Sequence, residues 1–269
     1  MYDAVFNAEW SYVVRSDEYS RKWLVVSVLG MAPGEQPHLW SGAQADVEPV
    51  VWEPWEGDVV PCVKVKLVMA FLSSVKGWPC GLFQRNEVPD ASTLTEYDVT
   101  CDAYIRKEYL RVWHIVKEGL DQWMESGRVV LPLIVIGTSG IGKSFATCSL
   151  LLYQLLRYTL ERLEVVAYFV EGKAYISYRE ERRVVHYEEQ CLTVDKINHM
   201  ICEGVEGYIL FDTGDGNSGV ERLPCDWDVF LISSPDRKKL KRFEALRPQK
   251  TIPVYMSCYE DAMFMAVLA

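Results

Sequence analysis

Hydrophobic and polar positions follow two different patterns along this 269-residue chain. Before residue 100, apolar runs of strand length (WSYVV, WLVVSVL and VKVKLVMAFL) are separated by turn sequences such as MAPGEQP and KGWPCG. After residue 100, strand-like apolar runs alternate with stretches in which apolar residues recur every three or four positions, as in amphipathic helices. We therefore predict a small mixed α+β domain over residues 1–100 and a second domain over residues 101–269.

The second region predicts a regular succession of elements. Apolar positions from Ile105 to Trp123 predict a leading helix that Gly127 ends, and an apolar strand then runs to Ile136. The later strands are predicted at EVVAYFV, GYILF, DVFLIS and IPVYM. The predicted helices cover residues 104–126, 143–158, 194–202 and 236–246. Because strands alternate with helices, we predict an α/β fold, a parallel sheet with helices on both faces.

One stretch interrupts this alternation. In KAYISYREERRVVHYEE, residues 173–189, two β-rich runs flank a charged turn, which predicts an inserted hairpin. Two roles are open for the arginines of that turn. They face solvent, or they form a lid over two phosphates, as a nucleotide kinase would require.

The stretch LPLIVIGTSGIGKSF, residues 131–145, carries the candidate chemistry. It contains G-x-x-x-x-G-K-[ST], the Walker A pattern, in which glycines let successive backbone N–H groups surround a phosphate chain. The following helix directs its positive end at the phosphates, the lysine ammonium reaches their oxygens, and the serine hydroxyl is a ligand for Mg²⁺. The predicted nucleotide-binding residues of this loop are Gly137, Thr138, Ser139, Gly140, Ile141, Gly142, Lys143, Ser144 and Phe145.

An acidic partner for the loop is predicted at the end of GYILFD. This run has the Walker B form, so Asp212 is expected to hold Mg²⁺ together with Ser144, with Lys143 and Asp212 as catalytic residues. Many ATPases place an acidic residue directly after this aspartate to orient the attacking water. Here Thr213 occupies that position, and Asp215 is the substitute candidate for the base.

A third strand, within VFLISSPDR, ends in two serines. One interpretation makes Ser233 or Ser234 a polar contact to the γ-phosphate or the attacking water. The other makes them caps of the following helix together with Asp236, as serine and aspartate commonly are. The basic run over residues 237–242 is expected to be a solvated helix face.

Charge and composition limit the kinds of molecule that the chain is expected to bind. With 28 basic and 38 acidic residues the net charge is −10, which repels a phosphate backbone, so nucleic acid is expected only through a complex. No apolar run approaches the roughly 18 residues that a membrane span requires, and no membrane contact is expected. The eight cysteines form no C-x-x-C pair, which predicts reduced intracellular thiols.

Eight of the nine tryptophans lie at or before Trp123. They are either core residues or a surface that binds protein partners. The second possibility supports a non-enzymatic alternative, a P-loop scaffold that holds a partner without hydrolysing nucleotide.

Two further chemistries are disfavoured. ILFDTGDG contains the Asp-Thr-Gly triplet of aspartic proteases, but no second triplet occurs and the surroundings alternate helix and strand. The Asn-Lys-x-Asp loop that recognises guanine is also absent, so ATP is the expected nucleotide.

Together these motifs resemble the retrotransposon hot spot proteins of trypanosomes. The resemblance rests on IVIGTSGIGKSF, LLYQLLRY, VVAYFV, GYILFD and VFLISSPDRKKLKRF, and on EWSYV, GWPC and YIRKEYLRVWHIVKEGLDQW upstream. It implies an ATP-binding protein of the nucleus or cytoplasm, connected to chromatin, transcription or RNA export. Family members run longer, so a truncated member is expected.

Site residues carry over from the family only in part. Gly137, Gly142, Lys143 and Ser144 carry over as nucleotide-binding and Asp212 as the metal-side acid, whereas no catalytic base carries over. We therefore expect Mg-ATP binding with weak or partner-dependent hydrolysis.

Overall fold

A computed structural model describes residues 1–15, 23–27, 66–79, 101–126, 131–158, 163–170, 172–212, 222–235 and 251–258. Several predictions fall outside these residues. They concern Thr213, Asp215, Asp236 and the basic helix over 236–246.

In its described residues, the N-terminal region contains one short helix, α1 (Tyr2–Phe6), and a four-stranded antiparallel sheet. Its strands are β1 (Glu9–Arg15), β2 (Trp23–Ser27), β3 (Lys66–Ser73) and β4 (Asp102–Tyr104). The spatial order is β2-β1-β3-β4, and the register of β1 on β3 shifts between Val13 and Val14. The three strands predicted from apolar runs are confirmed, whereas α1 and β4 are too short to produce a periodic signal.

The second sheet has seven strands in the order β11-β5-β10-β9-β6-β7-β8. Its first five members pair in parallel, and β7 and β8 extend it as an antiparallel hairpin, as predicted. The strands are β5 (Leu133–Ile136), β6 (Val165–Val170), β7 (Lys173–Tyr178), β8 (Arg183–Tyr187), β9 (Gly207–Asp212), β10 (Asp228–Ser233) and β11 (Ile252–Tyr255).

Within the described part of the chain, three helices accompany this sheet. They are α2 (Lys107–Ser126), α3 (residues 143–157) and α4 (Gln190–Cys202). Strands β5, β6 and β9 are buried along their whole length, which explains why each is a continuous apolar run rather than an alternating one. Alternate residues of the strands join two separate clusters, one with α2 and α3 and the other with α4. The α/β class is therefore confirmed.

Helix α3 is interrupted by a π-helical turn that the sequence pattern did not predict. Residues Thr147–Leu151 lie between two α-helical segments, Lys143–Ala146 and Leu152–Arg157. The Thr147 hydroxyl donates to the Lys143 carbonyl at 3.0 Å, and the Ser149 hydroxyl donates to the Phe145 carbonyl at 2.5 Å. These hydroxyls compete with backbone N–H groups for carbonyls one turn back, which accounts for the local widening.

The N-terminal elements and α3 share one hydrophobic core. Trp10 packs edge-on against Tyr153 at a ring distance of 6.2 Å, and Trp113 packs in the same way against Tyr158 at 6.0 Å. Both tryptophans are buried, as is Trp78. The core interpretation therefore holds for these three residues, and the predicted boundary near residue 100 stays a prediction.

Two sequence expectations concern the environment of the chain. Among the described cysteines, Cys101, Cys191, Cys202, Cys225 and Cys258 form no disulfide bond. Cys148 is disulfide-bonded, so the expectation of reduced thiols is wrong at that position. Within the described ranges, no helix has the length and apolar character needed to cross a membrane.

Candidate functional site

The candidate site lies where the parallel strands end. The loop of residues 137–142 follows β5, Asp212 is the last residue of β9, and Ser233 is the last residue of β10. Strand β10 pairs with both β5 and β9, which places Ser233 level with Ile136 and its neighbour Ile232 level with Asp212. The predicted residues of three separate segments are thus brought to one edge of the sheet, the edge at which α/β folds bind ligands.

The backbone of the loop depends on its glycines. Gly142 has a φ of +83° and caps the N-terminus of α3, where its carbonyl accepts the Ala146 N–H at 2.9 Å. A Cβ atom at Gly137 would lie 2.4 Å from Ile141 Cδ1 and 3.2 Å from the Met256 carbonyl oxygen. A larger residue at either position therefore strains the loop or separates it from the end of β11.

The nine predicted loop residues divide by exposure. Thr138, Ser139, Gly140 and Ser144 are exposed, whereas Ile141 is buried in the core. Phe145 also packs against the core. The loop thus presents backbone and hydroxyl groups outward while its apolar side chains anchor it.

Lys143 lies inside the curve of the loop. Its ammonium donates to the Gly137 carbonyl at 2.7 Å and to the Thr138 carbonyl at 2.6 Å. Partial burial lowers the pKa of Lys143 below its usual 10.5, and the negative charge of Asp212 opposes part of that shift. The lysine and the aspartate are therefore close enough to interact electrostatically.

Asp212 and Ser144 have the chemistry of a magnesium site. The Asp212 side chain is only 6% exposed, and both residues offer the hard oxygen ligands that Mg²⁺ prefers. No group of three or more His, Cys, Asp or Glu side chains in the described part of the chain is placed to hold a metal by itself. Nucleotide-associated Mg²⁺ needs no such group, because it takes one or two protein oxygens and completes its shell with phosphates and water.

The two serines after β10 differ. Ser233 is buried and its hydroxyl donates to the Ser234 carbonyl at 2.9 Å, whereas Ser234 is exposed. Both lie at the same edge as the loop. Because Asp236 is outside the described residues, phosphate contact and helix capping both remain open for them.

Comparison with known families covers nearly the whole chain. The family model for the retrotransposon hot spot protein P-loop domain matches residues 134–269, and the model for the N-terminal region of retrotransposon hot spot proteins matches residues 2–130. The chain belongs to the retrotransposon hot spot protein family. No curated protein matches it. The P-loop domain match agrees with the loop geometry and indicates nucleotide binding by this retrotransposon hot spot chain.

The hairpin arginines of this retrotransposon hot spot chain are not placed as a lid. Strand β7 runs antiparallel to β6, with Lys173 beside Val170, so the turn after Tyr178 lies at the opposite edge of the sheet from the loop. With six residues in β6 at about 3.3 Å each, the two edges are roughly 20 Å apart. Arg179 in this turn donates to the carbonyls of Tyr158 and Leu163 instead. This placement removes the structural basis for a kinase-type lid.

Sequence reasoning missed one residue of the site. Arg106, directly before α2, is fully buried, and its guanidinium donates to the Ile141 carbonyl of the loop at 2.8 Å. The same group donates to the carbonyls of Ser257 and Cys258, which follow β11, at 3.0 and 2.8 Å. The available signal was its position, because Arg106 precedes Tyr109 and Trp113 by three and seven residues and so begins the apolar stripe of the helix.

Proposed function

We propose that this retrotransposon hot spot chain binds ATP with Mg²⁺ through residues 137–145 and hydrolyses it slowly unless a partner completes the site. One observation carries the proposal. The Lys143 ammonium is held inside the loop at 2.7 and 2.6 Å from two loop carbonyls and within electrostatic reach of the buried Asp212. A cation, exposed backbone and a nearby carboxylate are the groups that a Mg-nucleotide requires.

Each group has a defined role in this proposal. The N–H groups of the loop and of the first turn of α3 bind the phosphate oxygens, and Lys143 neutralises their charge. Ser144 and Asp212 would hold Mg²⁺, which when bound screens negative charge on the β and γ oxygens. The order of the five parallel strands supports a P-loop NTPase layout, since β10 inserts Ser233 between the loop and Asp212.

Hydrolysis requires further groups. A base must orient the attacking water, and an arginine commonly stabilises the transition state. Thr213 follows Asp212 in the sequence, and Asp215 remains the proposed substitute outside the described residues. Because the turn with Arg179 lies at the opposite edge of the sheet, its arginines do not supply the missing charge. We therefore propose that a partner supplies it.

Thr213 also favours a second candidate function. This second candidate is a nucleotide-holding scaffold that binds protein partners without turnover, and we propose it because threonine rather than an acid follows Asp212. Measurement of the hydrolysis rate separates the two candidates. In either case we propose a nuclear or cytoplasmic role in nucleic-acid-related processes reached through protein partners, because a net charge of −10 disfavours direct contact with a phosphate backbone.

The experiment is a calorimetric titration of the purified chain with Mg-ATP. Lys143→Ala is expected to weaken binding more than about tenfold, since a hydrogen bond to a charged group contributes about 1.5 to 3 kcal/mol. Lys76→Ala is the matched control, because Lys76 is an exposed lysine of the turn after β3 and its removal should leave the affinity unchanged. Equal affinities of wild type and Lys143→Ala would refute the proposal.

A further inference from the structure

The residue that fixes the shape of the phosphate loop lies outside the loop. Arg106 connects β4 to α2, and its guanidinium is enclosed in the core beneath the loop. The Tyr109 ring lies 5.5 Å from the guanidinium carbon, and the Tyr109 hydroxyl donates to the same Ile141 carbonyl at 3.4 Å. Two donors from the start of α2 therefore converge on one carbonyl of the loop.

Holding this carbonyl also sets the direction of the next N–H group. The Ile141 carbonyl and the Gly142 N–H belong to one planar trans peptide, in which the two groups point in opposite directions. Because Arg106 draws the carbonyl into the core, the Gly142 N–H is directed away from the core, toward the exposed side of the loop. That orientation is the one in which a backbone N–H binds phosphate.

The same guanidinium also fixes the loop to the last strand. It binds the Ser257 and Cys258 carbonyls after β11, and the Thr138 hydroxyl lies 3.7 Å from the Cys258 sulfur. The planar fork of arginine reaches three carbonyls at once, whereas a lysine ammonium is a compact charge that does not reproduce this geometry. One buried cation therefore joins the C-terminal end of the loop to the segment after β11, and Thr138 near the other end of the loop contacts that same segment.

We propose that Arg106 is a positioning residue of the phosphate site, which orients the Ile141–Gly142 peptide for anion binding before any ligand arrives. The expected effect of Arg106 on phosphate affinity rests on the proposed function. Its expected effect on the conformation of the loop does not. A buried positive charge behind the loop also favours an anion in front of it.

The test compares Arg106→Lys and Arg106→Met with Arg111→Met. Arg111 is the matched control because it lies on the same helix and donates to the Tyr255 carbonyl of β11 at 2.5 Å, but it is exposed and does not contact the loop. Mg-ATP and inorganic tripolyphosphate are titrated at a temperature where circular dichroism shows every variant folded. We expect both Arg106 variants to bind each probe at least about tenfold more weakly, including the charge-conserving lysine. Arg111→Met should remain within about twofold of wild type, because exposed ion pairs contribute little.

Hydrogen exchange of the ligand-free chain provides the second readout. Arg106→Lys is expected to speed amide exchange at residues 138–143 by about fivefold or more while leaving α4 unchanged, because the loop loses its anchor and the fold does not. If the wild-type chain binds no nucleotide but Arg106→Lys still exchanges its loop amides faster, the proposed function is refuted and the positioning role is supported. Wild-type affinity together with wild-type loop exchange in the Arg106 variants would overturn the positioning role and leave the proposed function intact.

Discussion

At the scale of single residues, the Lys143 ammonium is bonded to the Gly137 and Thr138 carbonyls of its own loop. Under the proposed function, a phosphate would exchange these two bonds for its own contacts with the lysine. The contact of Arg106 with the Ile141 carbonyl holds the curvature of the loop, which under the proposed function reduces the conformational cost of binding. Partial burial removes water from this ammonium and so lowers the pKa of Lys143.

The affinity for Mg-ATP should depend on the protonation of Lys143. In the free chain its pKa lies below 10.5, and phosphate oxygens in the complex favour the charged form and raise it again. The affinity is therefore expected to be constant near neutral pH and to fall as the pH rises through the lowered pKa of Lys143 in the free chain. Between this pKa and the higher pKa of Lys143 in the complex, binding should be accompanied by proton uptake. Calorimetry from pH 7 upward in buffers of different ionisation enthalpy measures both effects. Lys143→Ala should lose the alkaline decline, and a wild-type affinity that is flat up to pH 10.5 would contradict the assignment.

The site residues that sequence predicted are those whose role is encoded locally. Gly137, Gly142 and Lys143 follow from a fixed spacing after a strand, and Asp212 follows from its position at the end of another. Arg106 was not predictable in the same way. Its partners lie 35 and about 150 residues away along the chain, so only the tertiary structure brings them together.

At the scale of secondary structure, long apolar patterns predicted their elements well. The helix α2, the hairpin β7–β8 and the strands β9 and β10 lie within a few residues of their predicted bounds. The π-helical turn in α3 was not predicted. It is caused by hydrogen bonds from the Thr147 and Ser149 hydroxyls, and the positions of these two residues in the sequence are also compatible with a regular α-helix. Strand β4, with three residues, is defined by pairing with β3 rather than by its own sequence.

The hairpin should be dispensable for nucleotide binding. Replacing Arg182 and Arg183 together by alanine is expected to leave the affinity for Mg-ATP within about twofold, because their turn lies roughly 20 Å from the loop edge. Titration of the double variant with Mg-ATP measures this affinity. A tenfold loss of affinity would restore the lid interpretation and with it a kinase-type function.

At the scale of the whole molecule, binding and turnover draw on different sets of groups. The proposed binding set, the loop with Lys143, Ser144 and Asp212, is gathered at one edge of the sheet. Of the groups proposed for turnover, the hairpin arginines are at the other edge, and Asp215 lies outside the described residues. If the proposed function holds, we expect the chain to retain nucleotide for long periods and to respond to a partner that completes the site.

Hydrolysis by the isolated chain should accordingly be slow. Loss of an arginine at the γ-phosphate typically costs about 10³ or more in rate, so we expect single turnovers on the order of minutes to hours at saturating Mg-ATP. Phosphate release after rapid mixing measures this rate, and Asp212→Asn is the control that should abolish it. Steady turnover of several per second without any partner would show that the chain holds a complete catalytic set.

The shared core beneath α3 couples the stability of the N-terminal sheet to that of the second sheet. Trp10 and Leu72 of the N-terminal sheet belong to the same apolar cluster as Leu152 and Leu155 of α3, so cutting the chain between the two sheets would expose that surface to water. Exposed apolar surface of this kind promotes aggregation rather than independent folding. We therefore expect the N-terminal sheet and the second sheet to unfold as one cooperative unit, so that a ligand bound at the loop should raise the melting temperature of the N-terminal sheet as well.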